Sequence, residues 1–265
     1  MQLKNPRRRS LSRSLWGKTS GSFHERFFLQ GPHSRFKELQ QLFRIFFESL
    51  KGFRTLHFEG PCVTVFGSAR FDEGHPYYDL TRRVGSRLAG LGFTIITGGG
   101  PGLMEAANRG AKEAGGRSLG CNISLPKEQE PNRYLDKWVE FHYFFIRKLM
   151  LAKYSYAFIA MPGGFGTADE FFEIATLLQT GKIEHFPLIL MGKSYWAPLM
   201  ELFRKSMLRE GAIDGKDLGL ILVTDSPQEA ARHIRRHTFG HFGLTLRPIP
   251  KPQAFLLEKG GSKVS

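Results

Sequence analysis

From residue 62 to residue 223, short apolar and β-branched runs alternate with stretches in which apolar positions recur every three or four residues. That alternation predicts βα units forming a parallel sheet. Strands are expected at 62–66, 93–97, 119–123, 157–161, 188–191 and 220–223, and helices at 78–91, 103–113, 145–154, 167–180, 196–208 and 227–237. Upstream, Phe36, Leu39, Leu42, Phe43, Phe46, Phe47 and Leu50 recur at helical spacing, so an amphipathic helix is expected to pack on the domain or on a partner subunit. The fold class that follows is α/β, a Rossmann-like open parallel sheet with helices on both faces, in a single domain. It is organised as a disordered basic arm (1–24), a helical extension (25–55), a nucleotide-binding catalytic domain (56–238) and an extended tail (239–265) that holds Pro248, Pro250 and Pro252.

Composition narrows the class. Apolar residues make up 41% and charged residues 23% of the 265, which is ordinary globular usage and excludes collagen-like or wholly disordered chains. Phe is over-represented at 24. No apolar run reaches the ~18 residues that a membrane span requires. Cys62 and Cys121 are the only cysteines, with neither C-x-x-C nor zinc spacing, so no metal site and a reducing cytoplasm are expected. The net charge of +14 suggests a nucleic-acid or membrane partner, yet residues 1–24 carry +6 and residues 239–265 carry +3, leaving +5 between them. Most of the excess therefore sits in the arms. An organellar transit peptide fits 1–24 less well than a solvated arm, because Pro6 interrupts it and it has no apolar face.

Glycines after strands carry the functional signal. Gly67-Ser68, Gly98-Gly99-Gly100-Pro101-Gly102 and Gly163-Gly164-Phe165-Gly166-Thr167 each follow an expected strand and lead toward a helix. In a parallel sheet all three turns fall at carboxyl ends of strands, where helix N-termini offer free N–H groups to a phosphate. Familiar alternatives fail on spacing. G-x-G-x-x-G would need glycine at Leu103 or Asp169, so NAD is disfavoured; Gly17-Lys18-Thr19 and Gly192-Lys193-Ser194 lack the first P-loop glycine; and there is no G-x-S-x-G elbow. After the third turn, Pro162 to Glu170 sets a phosphate cradle, the Thr167 hydroxyl and the Glu170 carboxylate within nine residues. Glu170 would then lie about a ribose away from a bound phosphate, whereas Asp169 and Glu173 are better read as first-turn acids favoured by the helix dipole.

Those nine residues fit P-G-G-x-G-T-x-x-E in full, the turn from Gly98 to Met104 fits G-G-G-x-x-G-L-M with one residue fewer, and Arg147-Lys148 is followed by Met150. On these motifs the chain resembles, over about 56–237, the LONELY GUY family of cytokinin riboside 5′-monophosphate phosphoribohydrolases, together with bacterial nucleotide nucleosidases long mislabelled as lysine decarboxylases. The resemblance implies hydrolysis of the N-glycosidic bond of nucleoside 5′-monophosphates without metal or cofactor, by at least a homodimer whose site lies near the subunit interface. It implies catalytic roles for Arg147 and Glu170. Substrate and phosphate contacts are expected from Gly67, Ser68, Gly99, Gly100, Gly102, Met104, Lys148, Gly163, Gly164, Gly166 and Thr167. Two departures bear on base specificity: Gly67-Ser68-Ala69-Arg70 stands where the family has Gly-Ser-Ser, and Glu105 follows Met104 where glycine is usual.

The alternatives are a non-catalytic nucleotide or cofactor carrier on the same fold, a pyridoxal-phosphate lysine decarboxylase and a nucleic-acid binder. The carrier would keep the cradle and lose the Arg147/Glu170 pair. The decarboxylase would need a Schiff-base lysine, and no His-Lys pair of that type exists among the nine histidines. The nucleic-acid reading is disfavoured by the concentration of charge in the arms.

Overall fold

The computed structural model describes residues 28–29, 31–124, 130–241 and 243–244. The arm expected over 1–24 and nearly all of the tail lie outside them. Seven parallel strands run β1 (Cys62–Phe66), β2 (Thr94–Thr97), β3 (Ser118–Ile123), β4 (Lys137–Phe141), β5 (Ser155–Ala160), β6 (Leu188–Met191) and β7 (Ile221–Thr224). Their spatial order is β4-β3-β2-β1-β5-β6-β7. The chain thus builds outward from β1 to one edge, crosses back over the sheet and builds outward again from β5. The neighbours β1 and β5 flank the point where the direction reverses, which is where open α/β sheets bind ligands.

Strand side chains alternate between two buried layers. Cys62, Phe66, Phe158, Ala160, Leu188 and Leu190 enter one core, while Val63, Val65, Ala157, Ile159, Ile189 and Met191 enter the other. Burial on both faces explains why these strands read as continuous apolar runs rather than as alternating ones. The second layer is covered by α2 (Pro76–Ala89), α3 (Leu103–Glu113) and α8 (Pro227–Arg235). The first is covered by α1 (Arg35–Leu56), α4 (Phe144–Lys153), α5 (Phe165–Gln179) and α6 (Lys193–Leu202), with α7 (Gly215–Leu218) a short turn before β7. The first layer also takes much of the phenylalanine, including Phe141, Phe171 and Phe203. Each fully buried ring contributes about 1.5–3 kcal/mol of transfer free energy.

Two differences from expectation stand out. The strand β4 was not expected; it is an edge strand whose Trp138 stays 47% exposed, so its pattern lacks the apolar run of its neighbours. It is pinned by the buried carboxylate of Glu59, which accepts from Lys137 Nζ at 2.9 Å and from Arg117. Both α6 and α8 pass into π-helical turns, Phe203–Leu208 and Arg236–His241. The second of these carries helix into the segment expected to begin an extended tail, and Phe239 meets the ring of Phe93 at 5.9 Å.

For α1 the expectation left open whether the stripe packs on the domain or on a partner subunit. Its predicted apolar stripe faces outward: Phe36, Leu42, Phe46 and Phe47 are each at least 59% exposed. The inward face is made of Gln41, Glu48, Gly52 and Leu56. Glu48 accepts from the backbone N–H of His142 and Tyr143 at 2.7 and 3.2 Å. At Gly52 a methyl group would come within 2.9 Å of Met150 Sδ, so glycine permits this close approach.

Candidate active site

The three glycine turns converge where β1, β2 and β5 end. Ser68 N–H donates to the Pro162 carbonyl at 3.1 Å, and the Ser68 carbonyl accepts from Leu103 N–H at 2.9 Å, so the first turn is clamped between the other two. Gly102 has φ +70°, and a Cβ there would lie 2.6 Å from the Ser68 carbonyl oxygen. Only glycine suits both the conformation and the space. Gly99 has φ +73°, and its N–H donates to Thr97 Oγ1 at 2.9 Å.

Helix α5 begins two residues earlier than the expected 167, with Gly164 at its N-cap and no side chain capping it. Phe165, Gly166 and Thr167 therefore occupy the first turn, where backbone N–H groups have no intrahelical acceptor. An uncapped N-terminus of a 15-residue helix at a sheet switch point is suited to an anion. Gly163 packs directly against the Thr167 side chain, and its carbonyl accepts from Tyr195 Oη at 2.8 Å. Phe165, the first residue of this helix, is 97% exposed.

One turn into α5, Glu170 is buried and pairs through Oε1 with Arg147 Nη1 of α4 at 3.0 Å. Arg147 is anchored from behind, its Nε donating to the Cys121 carbonyl at 2.8 Å. Burial pushes the Glu170 carboxyl above the ordinary carboxylate range, with Arg147 pulling in the opposite direction. The Cys121 thiol is pushed up to about 12 by burial, and the buried Cys62 thiol is raised as well, so neither is poised as a nucleophile. Lys148, next to Arg147, turns to two carboxylates of α5: Asp169 at 3.2 Å and Glu173 at 3.1 Å. Burial lowers its pKa, but the bonds from Glu173 and Asp169 outweigh that and raise it on balance.

All the expected residues lie on these turns and helix ends, and the structure adds others. At Gly98 a Cβ would fall 2.5 Å from Arg147 Nη2 and 2.7 Å from Met104 Sδ, so this glycine makes room for the guanidinium and places Met104 beside it. Asn132 closes the second turn: its N–H donates to the Gly99 carbonyl at 2.9 Å, and its Nδ2 donates to the Gly100 carbonyl at 3.1 Å and to Asn108 Oδ1 at 3.0 Å. Gly98 stood within the quoted glycine run, whereas nothing local marked Asn132. Among the described residues no three His, Cys, Asp or Glu side chains gather as a metal site, and no helix is long and apolar enough to cross a membrane.

A family profile with the description "Possible lysine decarboxylase" matches residues 104–234. A cytokinin riboside 5′-monophosphate phosphoribohydrolase of Rhodococcoides fascians is 31% identical over 180 residues, which cover 65% of this chain and 88% of that protein. The chain belongs to the LONELY GUY family. A structural-genomics target solved by X-ray diffraction shares the fold at TM-score 0.51 and 24% identity, covering 66% of this chain and 99% of that one. The molybdenum cofactor carrier protein of Chlamydomonas reinhardtii aligns at TM-score 0.49 and 23% identity over 68% of this chain and 99% of that one. The decarboxylase wording of the family profile does not fit the residues present. A Schiff-base lysine must give up its proton, and Lys148, the lysine at this constellation, is held charged by Asp169 and Glu173.

Proposed function

We propose that this protein hydrolyses the N-glycosidic bond of nucleoside 5′-monophosphates, AMP-like or cytokinin riboside monophosphates, to free base and ribose 5-phosphate. The observation that carries the reading is the buried Arg147–Glu170 pair one helical turn behind an uncapped helix N-terminus at the β1/β5 switch point. The phosphate binds the N–H groups of the α5 first turn, which sets the ribose toward Glu170. As the C1′–N bond breaks, its electron pair leaves with the base and positive charge develops on the sugar. The Glu170 carboxylate stabilises that charge and orients the water whose oxygen bonds to C1′, while the proton released by the water neutralises the departing base nitrogen. Arg147 keeps Glu170 ionised and fixed in direction.

The test is incubation of the purified chain with AMP, adenosine and free lysine, following base, ribose 5-phosphate and carbon dioxide. AMP should be cleaved far faster than adenosine, because the nucleoside forfeits the charge-assisted phosphate contacts. Equal turnover of the two would remove the phosphate cradle, and tight AMP binding without base release would favour the carrier.

The outward stripe of α1 supports a homodimer as the working form. A contiguous apolar face of this kind on a soluble domain is ordinarily covered, and an inward face built on Gln41 and Glu48 leaves the phenylalanines for a second copy. Light scattering at micromolar concentration should give twice the chain mass or a multiple of it, and Phe43→Glu with Phe46→Glu should give a monomer.

A further inference from the structure

On the face of the sheet opposite the Arg147–Glu170 pair, a cavity of about 730 Å³ opens between α2 and α8. Its rim carries Arg83 and Arg87 from one helix and Arg232 and Arg235 from the other; Leu91, Ala231 and Pro227 contribute its apolar lining. The spacings i,i+4 and i,i+3 put each pair on a single helix face, so four cations line one cleft to which no carboxylate contributes among the described residues.

Nearby arginines are treated differently. Arg82 meets Glu113 at 2.5 Å, and Arg109 meets both Glu113 at 3.0 Å and Glu73 at 2.5 Å. Within the cleft only Arg83 has an acid, Asp79 at 3.0 Å. Among the described residues Arg87, Arg232 and Arg235 make no ion pair. A helix C-terminus favours a cation, which accounts for each of these residues singly. It does not account for their gathering around one cavity, where their summed positive potential favours an anion.

We propose that this cleft binds a small anion carrying several phosphates in a row, an oligophosphate or a nucleoside triphosphate, gripped by Arg87, Arg232 and Arg235. The volume falls within the range of small-molecule pockets, about 300–1,000 Å³. A single phosphate would leave part of the positive rim uncompensated, whereas a chain of phosphates offers each guanidinium fork its own acceptor oxygens. The arginines gather around one open cleft of bounded volume and not along an extended basic stripe, which favours such a ligand over a nucleic-acid strand. The site is independent of the hydrolytic reading and lies on the other side of the sheet.

Calorimetry on the full chain should show tripolyphosphate binding at least about tenfold tighter than inorganic phosphate, and Arg87→Ala with Arg232→Ala should weaken it by about tenfold per arginine. The double variant should retain the wild-type thermal midpoint and AMP turnover, since neither residue touches the glycine turns. Arg232→Lys, which keeps the charge and loses the fork, should fall between. Equal affinity for ATP and tripolyphosphate would assign recognition to the phosphates alone, and tighter ATP binding would add a contact to the base; both support the site. The proposal is overturned if wild type and double variant bind tripolyphosphate equally, or if tripolyphosphate does not bind at about 1 mM. It is also overturned if the double variant loses a single-stranded oligonucleotide while keeping tripolyphosphate.

Discussion

Arg147 and Lys148 are neighbours on α4, and each reaches a carboxylate of α5, Glu170 and Asp169, which are neighbours too. The two pairs have nearly the same length and opposite surroundings. In the Arg147–Glu170 pair both side chains are about 10% exposed, whereas Asp169 is 57% exposed. Water around Asp169 screens its attraction to Lys148, and exposed pairs of this kind contribute about 0–1 kcal/mol. Burial makes the first pair matter in both directions: Glu170 loses hydration and is pushed toward its neutral form, while Arg147 pulls it toward its charged form. One residue of displacement along each helix thus separates a buried carboxylate from a solvated one.

Removing the charge of Glu170 should have the largest effect. Glu170→Gln keeps size and can still accept from Arg147, yet turnover of AMP should fall by about a hundredfold or more with nucleotide affinity retained. Base release and calorimetric binding measured on the same preparation check this, and wild-type turnover would sink the mechanism.

Disturbing the partner should come next. Arg147→Ala leaves a buried carboxylate alone, which costs about 3–5 kcal/mol unless it takes up a proton. Gly98→Ala is the finer probe, because its methyl group would press on Arg147 Nη2 without touching Glu170 chemically. A shift of the guanidinium by about 1 Å should lower turnover by ten- to a hundredfold. If Gly98→Ala is fully active, Arg147 does not need its observed position.

The pH profile sharpens the contrast further. A raised carboxyl pKa means that Glu170 holds its proton to higher pH than a free glutamate, so the active anion is lost earlier on the acid side. The acid limb of kcat/KM should therefore lie above the ordinary carboxylate range, and it should move higher still in Arg147→Ala. In stability the same shift works the other way: the native state favours protonated Glu170, and this contribution is lost as pH rises through the raised pKa. An acid limb in the ordinary range would contradict the burial of this group.

The smallest effect belongs to the exposed pair. Asp169→Asn should change turnover by no more than about twofold and stability by less than about 1 kcal/mol, as Glu173 still holds Lys148. A loss equal to that of Glu170→Gln would show that the two pairs act as one unit.

Local chemistry along the chain was enough to mark the βα units, because strands buried on both faces need unbroken apolar runs such as 157–161 and helices need a repeating stripe. It also marked the glycine turns and Glu170 as candidates, since Pro162 to Glu170 are contiguous in sequence, although the helix starts at Phe165 and so carries Glu170 one turn in, beyond its first turn. Tertiary structure decided the rest. The edge strand β4 is held by distant Glu59 and carries no apolar run of its own. Asn132 serves the turn at Gly99 from 33 residues away. The α1 stripe predicted a helix and left open the side on which it packs, because Glu48 and Gly52 bind the inward face through a hydrogen-bonded and close-packed contact that hydropathy does not register. Periodicity reports which residues share a face and contiguity reports which share a turn; which face meets which neighbour, and how much water reaches Glu170 compared with Asp169, depends on packing between segments far apart in the chain.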